Sequence, residues 1–263
     1  MREISQRQLK RRKMKAMIFA AGLGTRLKPV TDNLPKALVP IAGKPLLEHV
    51  ILKLKSAGFD EIIVNVHHFP DQLIDFLKAN NNFGIRIEVS DERDLLLDTG
   101  GGIRKANWFF DDGKPFLVHN VDIFSNVDLK VLYQQHVRSN SLATLVVSKR
   151  DTFRYLLFDD NLRLSGWINE KTGETKPAGF TKPELYHKLA FSGIQILSPQ
   201  VFGLMEQLEP KFPIMDFYLS NAAGQSITGF VPDNYKILDV GKLDILDEAE
   251  RFVKAQSSEL RSE

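Results

Sequence analysis

The run Ala16-Met17-Ile18-Phe19-Ala20-Ala21, passing directly into Gly22-Leu23-Gly24-Thr25-Arg26-Leu27, decides the fold of this chain. A short, unbroken apolar run bounded by glycine fits a parallel strand buried on both faces. The glycines behind it let backbone N–H groups approach a phosphate or a base with no Cβ in the way. Two familiar phosphate loops are excluded. A Walker A loop needs G-x-x-x-x-G-K-[ST], which this segment lacks, and the dinucleotide fingerprint needs glycine or alanine where Leu27 stands. Pro29, Pro35 and Pro40 keep a helix from starting at once. The loop is therefore long, and it carries Arg26 and Lys36, two cations suited to spreading phosphate charge.

Strand and helix patterns alternate outward from this segment. Pro45 opens a helix with Leu46, Leu47, Val50, Ile51 and Leu54 on one face, closed by Gly58. Ile62–Val66 reads as the next strand, Pro70 starts a second helix with Leu73, Ile74 and Leu77, and Ile85–Val89 is a third strand. Helical pattern returns near Gly102–Phe110, followed by strands at Pro115–Asn120 and Leu142–Ser148. The succession predicts an α/β fold, a Rossmann-like doubly wound, mostly parallel sheet with helices on both faces. After residue 150 the texture changes to a small β-rich elaboration: a hairpin from Tyr155–Phe158 and Leu162–Ile168, a polar turn at Asn169–Thr175, and strands at Ala190–Leu197 and Ser226–Val231. A terminal helix over Lys242–Ala255 carries the apolar stripe Leu243, Leu246, Ala249 and Phe252–Val253, read as core contact or part of a dimer surface.

The 263 residues are 43% hydrophobic and 26% charged, enough for one sizeable core. Cysteine is absent, which excludes disulfides, thiolate metal sites and a cysteine nucleophile. No apolar run is long enough for a membrane span, and Ala16–Ala21 is too short for a signal-peptide core. Residues 1–13 hold six basic groups and one acid, so the remaining chain is net acidic although the total is +2. The expected organisation is a basic, disordered extension over 1–13 and one domain over 14–263. Met14 opens the first strand, so the extension also fits a start-site artefact, against the alternative of a nucleic-acid or lipid contact.

The stretch from Ala20 to Pro45, GLGTRLKPVTDNLPKALVPIAGKP at its centre, resembles the signature of the sugar-1-phosphate nucleotidyltransferases. The resemblance continues, in order, through Leu97-Asp98-Thr99-Gly100-Gly101-Gly102, Phe116-Leu117-Val118-His119-Asn120-Val121-Asp122, Phe191-Ser192-Gly193 and Leu238-Asp239-Val240-Gly241. Its closest shape is that of mannose-1-phosphate guanylyltransferase-like and N-acetylmuramate-1-phosphate uridylyltransferase-like members. The resemblance implies a cytoplasmic, Mg²⁺-dependent enzyme that joins a nucleoside triphosphate to a sugar 1-phosphate, releasing pyrophosphate, with mannose or heptose placed first. It implies no nucleic-acid or membrane partner, and a monomer or homodimer. Ala21, Gly22, Gly24, Thr25, Thr99, Gly100 and Gly101 would line the nucleotide. Arg26 would hold the departing phosphates and Lys36 the α-phosphate and sugar phosphate. Asn120, Glu170, Ser192 and Gly193 would meet the sugar phosphate, and Asp122 and Asp239 would hold Mg²⁺.

The chemistry agrees with those roles. The nucleophile is already an anionic phosphate oxygen, so catalysis is positioning and charge neutralisation rather than general base work. Two departures from the family pattern stand out: Val121 where a small residue usually precedes the metal aspartate, and Asp98 where glycine often precedes the threonine. Asp98 is placed either to contact base or ribose or to cap the following helix. Asn169-Glu170-Lys171 reads equally as a sugar-contacting pair or a solvated hairpin tip. His67 and His68 point to opposite sides of an extended chain, which argues against a metal pair. Trp167 reads as packing before sugar stacking. Three rival readings remain: an N-acetylmuramate-1-phosphate uridylyltransferase, a cytidylyltransferase acting on a non-sugar phosphate, and a non-catalytic nucleotide-sugar-binding subunit. The absence of a C-terminal hexapeptide-repeat pattern argues against bifunctional acetyltransferase members.

Overall fold

In a computed structural model, which describes residues 13–259, the opening apolar run forms β1 (Met14–Phe19). The two-residue strands β2 (Pro40–Ile41) and β3 (Lys44–Pro45) end the long loop, and α1 (Leu46–Ser56), β4 (Phe59–Val66), α2 (Pro70–Ala79) and β5 (Arg86–Asp91) follow. Next come α3 (Asp98–Lys105), β6 (Phe116–Asn120), β7 (Ile123–Ser125), α4 (Leu129–Ser139) and β8 (Ala143–Ser148). The second half holds β9 (Arg154–Phe158), β10 (Leu164–Asn169), β11 (Glu174–Lys176), β12 (His187–Leu197), α5 (Val201–Met205), α6 (Ile214–Asn221), β13 (Ile227–Phe230), β14 (Ile237–Asp239) and α7 (Leu246–Glu259).

β1 pairs in parallel with β4 on one side and β6 on the other, and β4 pairs in parallel with β5. β12 is antiparallel to β6 and to β8, and β13 is parallel to β8. In the sheet β5-β4-β1-β6-β12-β8-β13, β12 alone runs against the others. The strand order reverses at β1, the switch point outside which open α/β sheets bind ligands. Alternate residues enter two cores. Ala16, Ile18, Ile62, Val64 and Leu117 pack with α1, α2 and α4, whereas Met17, Ile63, Phe116 and Val118 pack with α3, α5 and α6. Burial on both faces explains why β1 reads as an apolar run rather than an alternation.

β9, β10 and β11 form the expected hairpin and its extension, joined to the main sheet through His187–Leu189 of β12. Leu246, Ala249, Phe252 and Val253 of α7 pack against the first core, while the Leu243 side chain lies outside the described residues. The expected basic extension also lies outside them except for Lys13, whose Nζ is 3.0 Å from Glu61. No helix among the described residues is long and apolar enough to cross a membrane.

One boundary differs for a physical reason. The helix expected from Gly102 begins at Asp98, because packing overrides the weak helix propensity of three glycines. Sequence patterning also passes over α4, although Asp128 caps it by accepting from the N–H groups of Lys130 and Val131 at 2.8 and 3.1 Å.

Candidate active site

A cleft of about 370 Å³ opens beyond the C-terminal ends of β1 and β6, a volume suited to a small-molecule ligand. Phe19, Ala20, Ala21 and Gly22 contribute from the end of β1 and its loop, and Asn120, Val121 and Asp122 from the end of β6. Leu96, Asp98 and Thr99 contribute from the start of α3, with Asn65, Lys36 and Lys211 completing the lining. Gly24, Thr25, Arg26, Gly100, Gly101, Glu170, Ser192, Gly193 and Asp239 are not on this wall.

The first loop folds back through Gly24, which sits at φ +67 and whose carbonyl accepts from Leu27 N–H at 2.9 Å and Thr31 Oγ1 at 2.8 Å. A Cβ there would lie 2.9 Å from Thr31 and 3.1 Å from Lys36 Cβ, so only glycine lets the loop close this tightly. Thr25 and Arg26 begin the short 3₁₀ turn that follows. Lys36 begins a later 3₁₀ turn, and its ammonium donates to Asp122 Oδ2. Gly22 differs: nothing lies within 4 Å of a Cβ built on it.

Asp122 and Asp239 are 117 positions apart in sequence, and β7 and β14 bring them together. These strands pair antiparallel with Asp239 opposite Ile123, and Val240 N–H donates to the Asp122 carbonyl at 2.8 Å. Asp239 Oδ1 accepts from Gly241 N–H at 3.0 Å. The Arg26 guanidinium lies against Gly241: a Cβ there would meet Arg26 Nη2 at 2.6 Å and Asp239 Oδ1 at 2.7 Å. Both cations of the first loop therefore stand beside the two carboxylates. Val121 needs no left-handed backbone here; it is 4% exposed and packs in the core.

The glycines of α3 face protein. Gly100 and Gly101 N–H both donate to Phe212 O, at 2.9 and 3.2 Å, and the Thr99 hydroxyl accepts from Ile214 N–H at 2.9 Å. Asp98 adopts φ +62, and its Oδ1 accepts from Thr99 N–H at 2.6 Å. It thus serves the helix start while also lining the cleft.

Further out, Glu170 pairs with Lys188 at 2.8 Å rather than with Lys171, whose ammonium lies over the Phe153 ring. Ser192 is fully buried, and its hydroxyl interacts with the Tyr235 hydroxyl. Gly193, at φ +71, brings its Cα face against the Asn120 amide, where a Cβ would come within 2.9 Å of Nδ2. His67 Nδ1 engages the Glu92 carbonyl at 2.7 Å, the His68 ring packs at a tilt against Phe69, and Trp167 lies under the Lys176 ammonium.

Two supporting groups escaped the sequence reading. Asn65 accepts from Ala20 N–H at 2.8 Å and donates to Glu92 Oε1 at 2.8 Å, while Glu92 Oε2 accepts from Leu97 N–H at 3.1 Å. This buried chain ties the glycine loop to the start of α3; its trace in sequence is one asparagine within an apolar strand. Lys53 of α1 donates to the Ser125 carbonyl and to its hydroxyl at 3.0 Å, anchoring β7. Burial pulls the Lys53 pKa down to about 7, partly opposed by Asp128.

Among the described residues no group of three or more His, Asp or Glu side chains is arranged to hold a metal. Asp122 on the cleft wall and Asp239 on the hydrogen-bonded neighbouring segment supply two carboxylates, which suit an ion that takes its remaining oxygens from phosphates and water.

A glycine loop with two cations, and Asp122 and Asp239 on adjoining segments, gather at a sheet switch point, an arrangement that suits a phosphate-bearing ligand. The nucleotidyl transferase family model matches residues 15–256, and the chain belongs to that family. N-acetylmuramate alpha-1-phosphate uridylyltransferase of Neisseria meningitidis serogroup B is 32% identical over 250 residues, spanning 92% of this chain and 99% of the relative. Mannose-1-phosphate guanylyltransferase 1 of Arabidopsis thaliana is 30% identical over 233 residues, 87% of this chain but only 62% of that longer protein. The solved structure of HddC from Yersinia pseudotuberculosis, complexed with GMP-PN, shares the fold with a TM-score of 0.72 at 24% identity, over 91% of this chain and 99% of that one.

Proposed function

We propose that this sugar-1-phosphate nucleotidyltransferase transfers the uridylyl group of UTP to an N-acetylmuramate-type sugar 1-phosphate. The observation that carries this choice is the Neisseria relative, which this chain matches along 99% of its length. The sugar phosphate oxygen attacks the α-phosphorus, a new P–O bond forms, and the bond to the β-phosphate oxygen breaks to release pyrophosphate. The attacking oxygen is already anionic at neutral pH, so no side chain has to remove a proton.

Lys36, standing at the Asp122 end of the cleft, neutralises the α-phosphate and the incoming sugar phosphate. Arg26, beside Gly241, holds the departing phosphates. Ala21, Gly22, Gly24 and Thr25 shape the loop around the triphosphate. Thr99 lines the wall assigned to the base and ribose, and Gly100 and Gly101 act behind it by seating segment 210–212 against α3. On this reading Asn120, Ser192, Gly193 and Glu170 serve the sugar phosphate, with Asn120 on the cleft wall and Gly193 packed against its amide. Asp122 and Asp239 would hold a divalent ion, magnesium on this reading, which when bound supplies further neutralisation of phosphate oxygens.

The second reading is guanylyl transfer to mannose- or heptose-1-phosphate. The Arabidopsis relative supports it over 87% of this chain, although that protein is longer. Pyrophosphate release with Mg²⁺ over a grid of nucleoside triphosphates and sugar 1-phosphates tests both. Turnover is expected with UTP and N-acetylmuramate 1-phosphate. Turnover only with GTP and mannose or heptose 1-phosphate would replace the first reading by the second.

A further inference from the structure

Three successive glycines open α3, although glycine costs a helix about 1 kcal/mol relative to alanine. Each is explained by what a side chain would strike. A Cβ on Gly100 would lie 2.2 Å from the Phe212 ring and 2.9 Å from its carbonyl, and one on Gly101 would lie 2.3 Å from Pro210 O. A Cβ on Gly102 would lie 2.9 Å from Glu92 Oε1. The first two glycines admit the segment 210–212 directly onto the helix. Four hydrogen bonds then hold it: Gly100 and Gly101 N–H to Phe212 O, Phe212 N–H to Leu97 O at 3.3 Å, and Ile214 N–H to Thr99 Oγ1.

The consequence is the position of Lys211. It is delivered to the cleft on the α3 side, where Leu96, Asp98 and Thr99 also stand. Lys211 is exposed and makes no hydrogen bond or ion pair among the described residues. Its ammonium offers three donors and no acceptor. Asp98 spends Oδ1 on Thr99 N–H, which leaves Oδ2 as an acceptor. Lys36, assigned to the phosphates, and Asp122, assigned to the metal, belong instead to the loops after β1 and β6. The α3 side therefore presents one fixed acceptor and one cationic donor away from those two groups.

We propose that Lys211 and Asp98 together read the nucleobase, Lys211 donating to a ring keto oxygen and Asp98 accepting from the adjacent ring N–H. This rests on the nucleotide occupying the cleft as described above. Uracil presents that pair as O4 and N3–H, and guanine as O6 and N1–H. Cytosine and adenine reverse both groups, with an exocyclic amine beside an unprotonated ring nitrogen. Against them the ammonium would face a donor and the carboxylate a lone pair, a double mismatch that a polar site rejects strongly. The pair thus selects keto bases as a class and excludes cytidylyl and adenylyl transfer.

The test is direct nucleotide binding by calorimetry, without sugar phosphate, to the wild type, Lys211→Met and Asp98→Gly. Lys211 is exposed, and Asp98 sits at a backbone angle glycine accepts freely, so both variants should fold. UTP or GTP should bind the wild type at least about tenfold tighter than CTP and ATP, as one or two charged hydrogen bonds imply. Each variant should lose most of that ratio. If UTP binds, N3-methyl-UTP should bind the wild type more weakly than UTP, and Asp98→Gly should remove the difference. Equal wild-type binding of all four nucleotides, or a full preference retained in both variants, would overturn the proposal alone. Absence of any nucleotide binding would overturn the assignment of the cleft, and this proposal with it.

Discussion

The Lys36 ammonium donates to the Asp122 carboxylate, so the first loop's lysine occupies an oxygen that a metal ion would use. Both side chains are largely shielded, at 11% and 16% exposure, which strengthens their mutual attraction relative to a surface pair. On the proposed roles, a triphosphate entering the cleft would offer Lys36 a competing anion and free Asp122.

Lys36→Met should lower kcat by about 10²–10³, or roughly 3–4 kcal/mol, the scale of losing one preorganised charge at a transferring group. A change confined to KM would contradict a role in the transition state. The same variant frees Asp122, so Mn²⁺ titrated without nucleotide should bind it more tightly than the wild type. Equal or weaker metal binding would show that Lys36 and the metal do not compete.

Much of the site was legible because its parts follow strands. Asp122 stands directly after β6 and the glycine loop directly after β1, positions that an α/β sheet makes functional. The meeting of Asp122 with Asp239 was not legible from local pattern, because β7 and β14 are three-residue strands whose pairing is entirely non-local. Gly100 and Gly101 pointed by analogy to a ligand, yet their Cα faces touch segment 210–212. A glycine in sequence reports only that something comes close; the fold decides whether that is substrate or chain. Lys211 carried no signal at all, since its place depends on those glycines.

That distinction between glycines can be measured. Gly100→Ala forces a Cβ into the Phe212 ring and backbone, so it should destabilise the protein by about 1–3 kcal/mol despite alanine's better helix propensity. Gly22→Ala meets nothing within 4 Å and should leave stability within about 0.5 kcal/mol, while weakening nucleotide binding by narrowing the cleft. Urea unfolding and nucleotide titration on both variants give the comparison. The same stability loss in both would refute the division into structural and cleft glycines.

Acid should loosen the fold through buried histidines. His119 is fully buried; burial and the nearby Lys53 charge push its pKa from 6.5 to about 3, and burial pushes His136 to about 4. Between pH 6.5 and those values the unfolded chain binds more protons than the folded one, so stability falls as pH is lowered through this window. From pH 7 to 5 each histidine should contribute a loss of about 2 kcal/mol. His119→Leu should flatten this limb when urea midpoints at pH 7 and pH 5 are compared. A slope unchanged from wild type would mean that His119 is not held neutral.

Gly241→Ala separates catalysis from stability at the other end of the site. The added Cβ would meet Arg26 Nη2 at 2.6 Å and Asp239 Oδ1 at 2.7 Å, both far ends of side chains that can move without disturbing a core. The fold should therefore yield cheaply, with a stability change below about 1 kcal/mol and a Tm shift within about 4 °C. The two displaced groups are the ones assigned to the departing phosphates and the metal, so kcat/KM should fall at least about tenfold. The loss should appear in steady-state pyrophosphate release and persist at saturating Mg²⁺, because the guanidinium as well as the carboxylate is displaced. Turnover near that of the wild type would mean that neither Arg26 nor Asp239 depends on the close passage at Gly241, and would remove Arg26 from the departing phosphates.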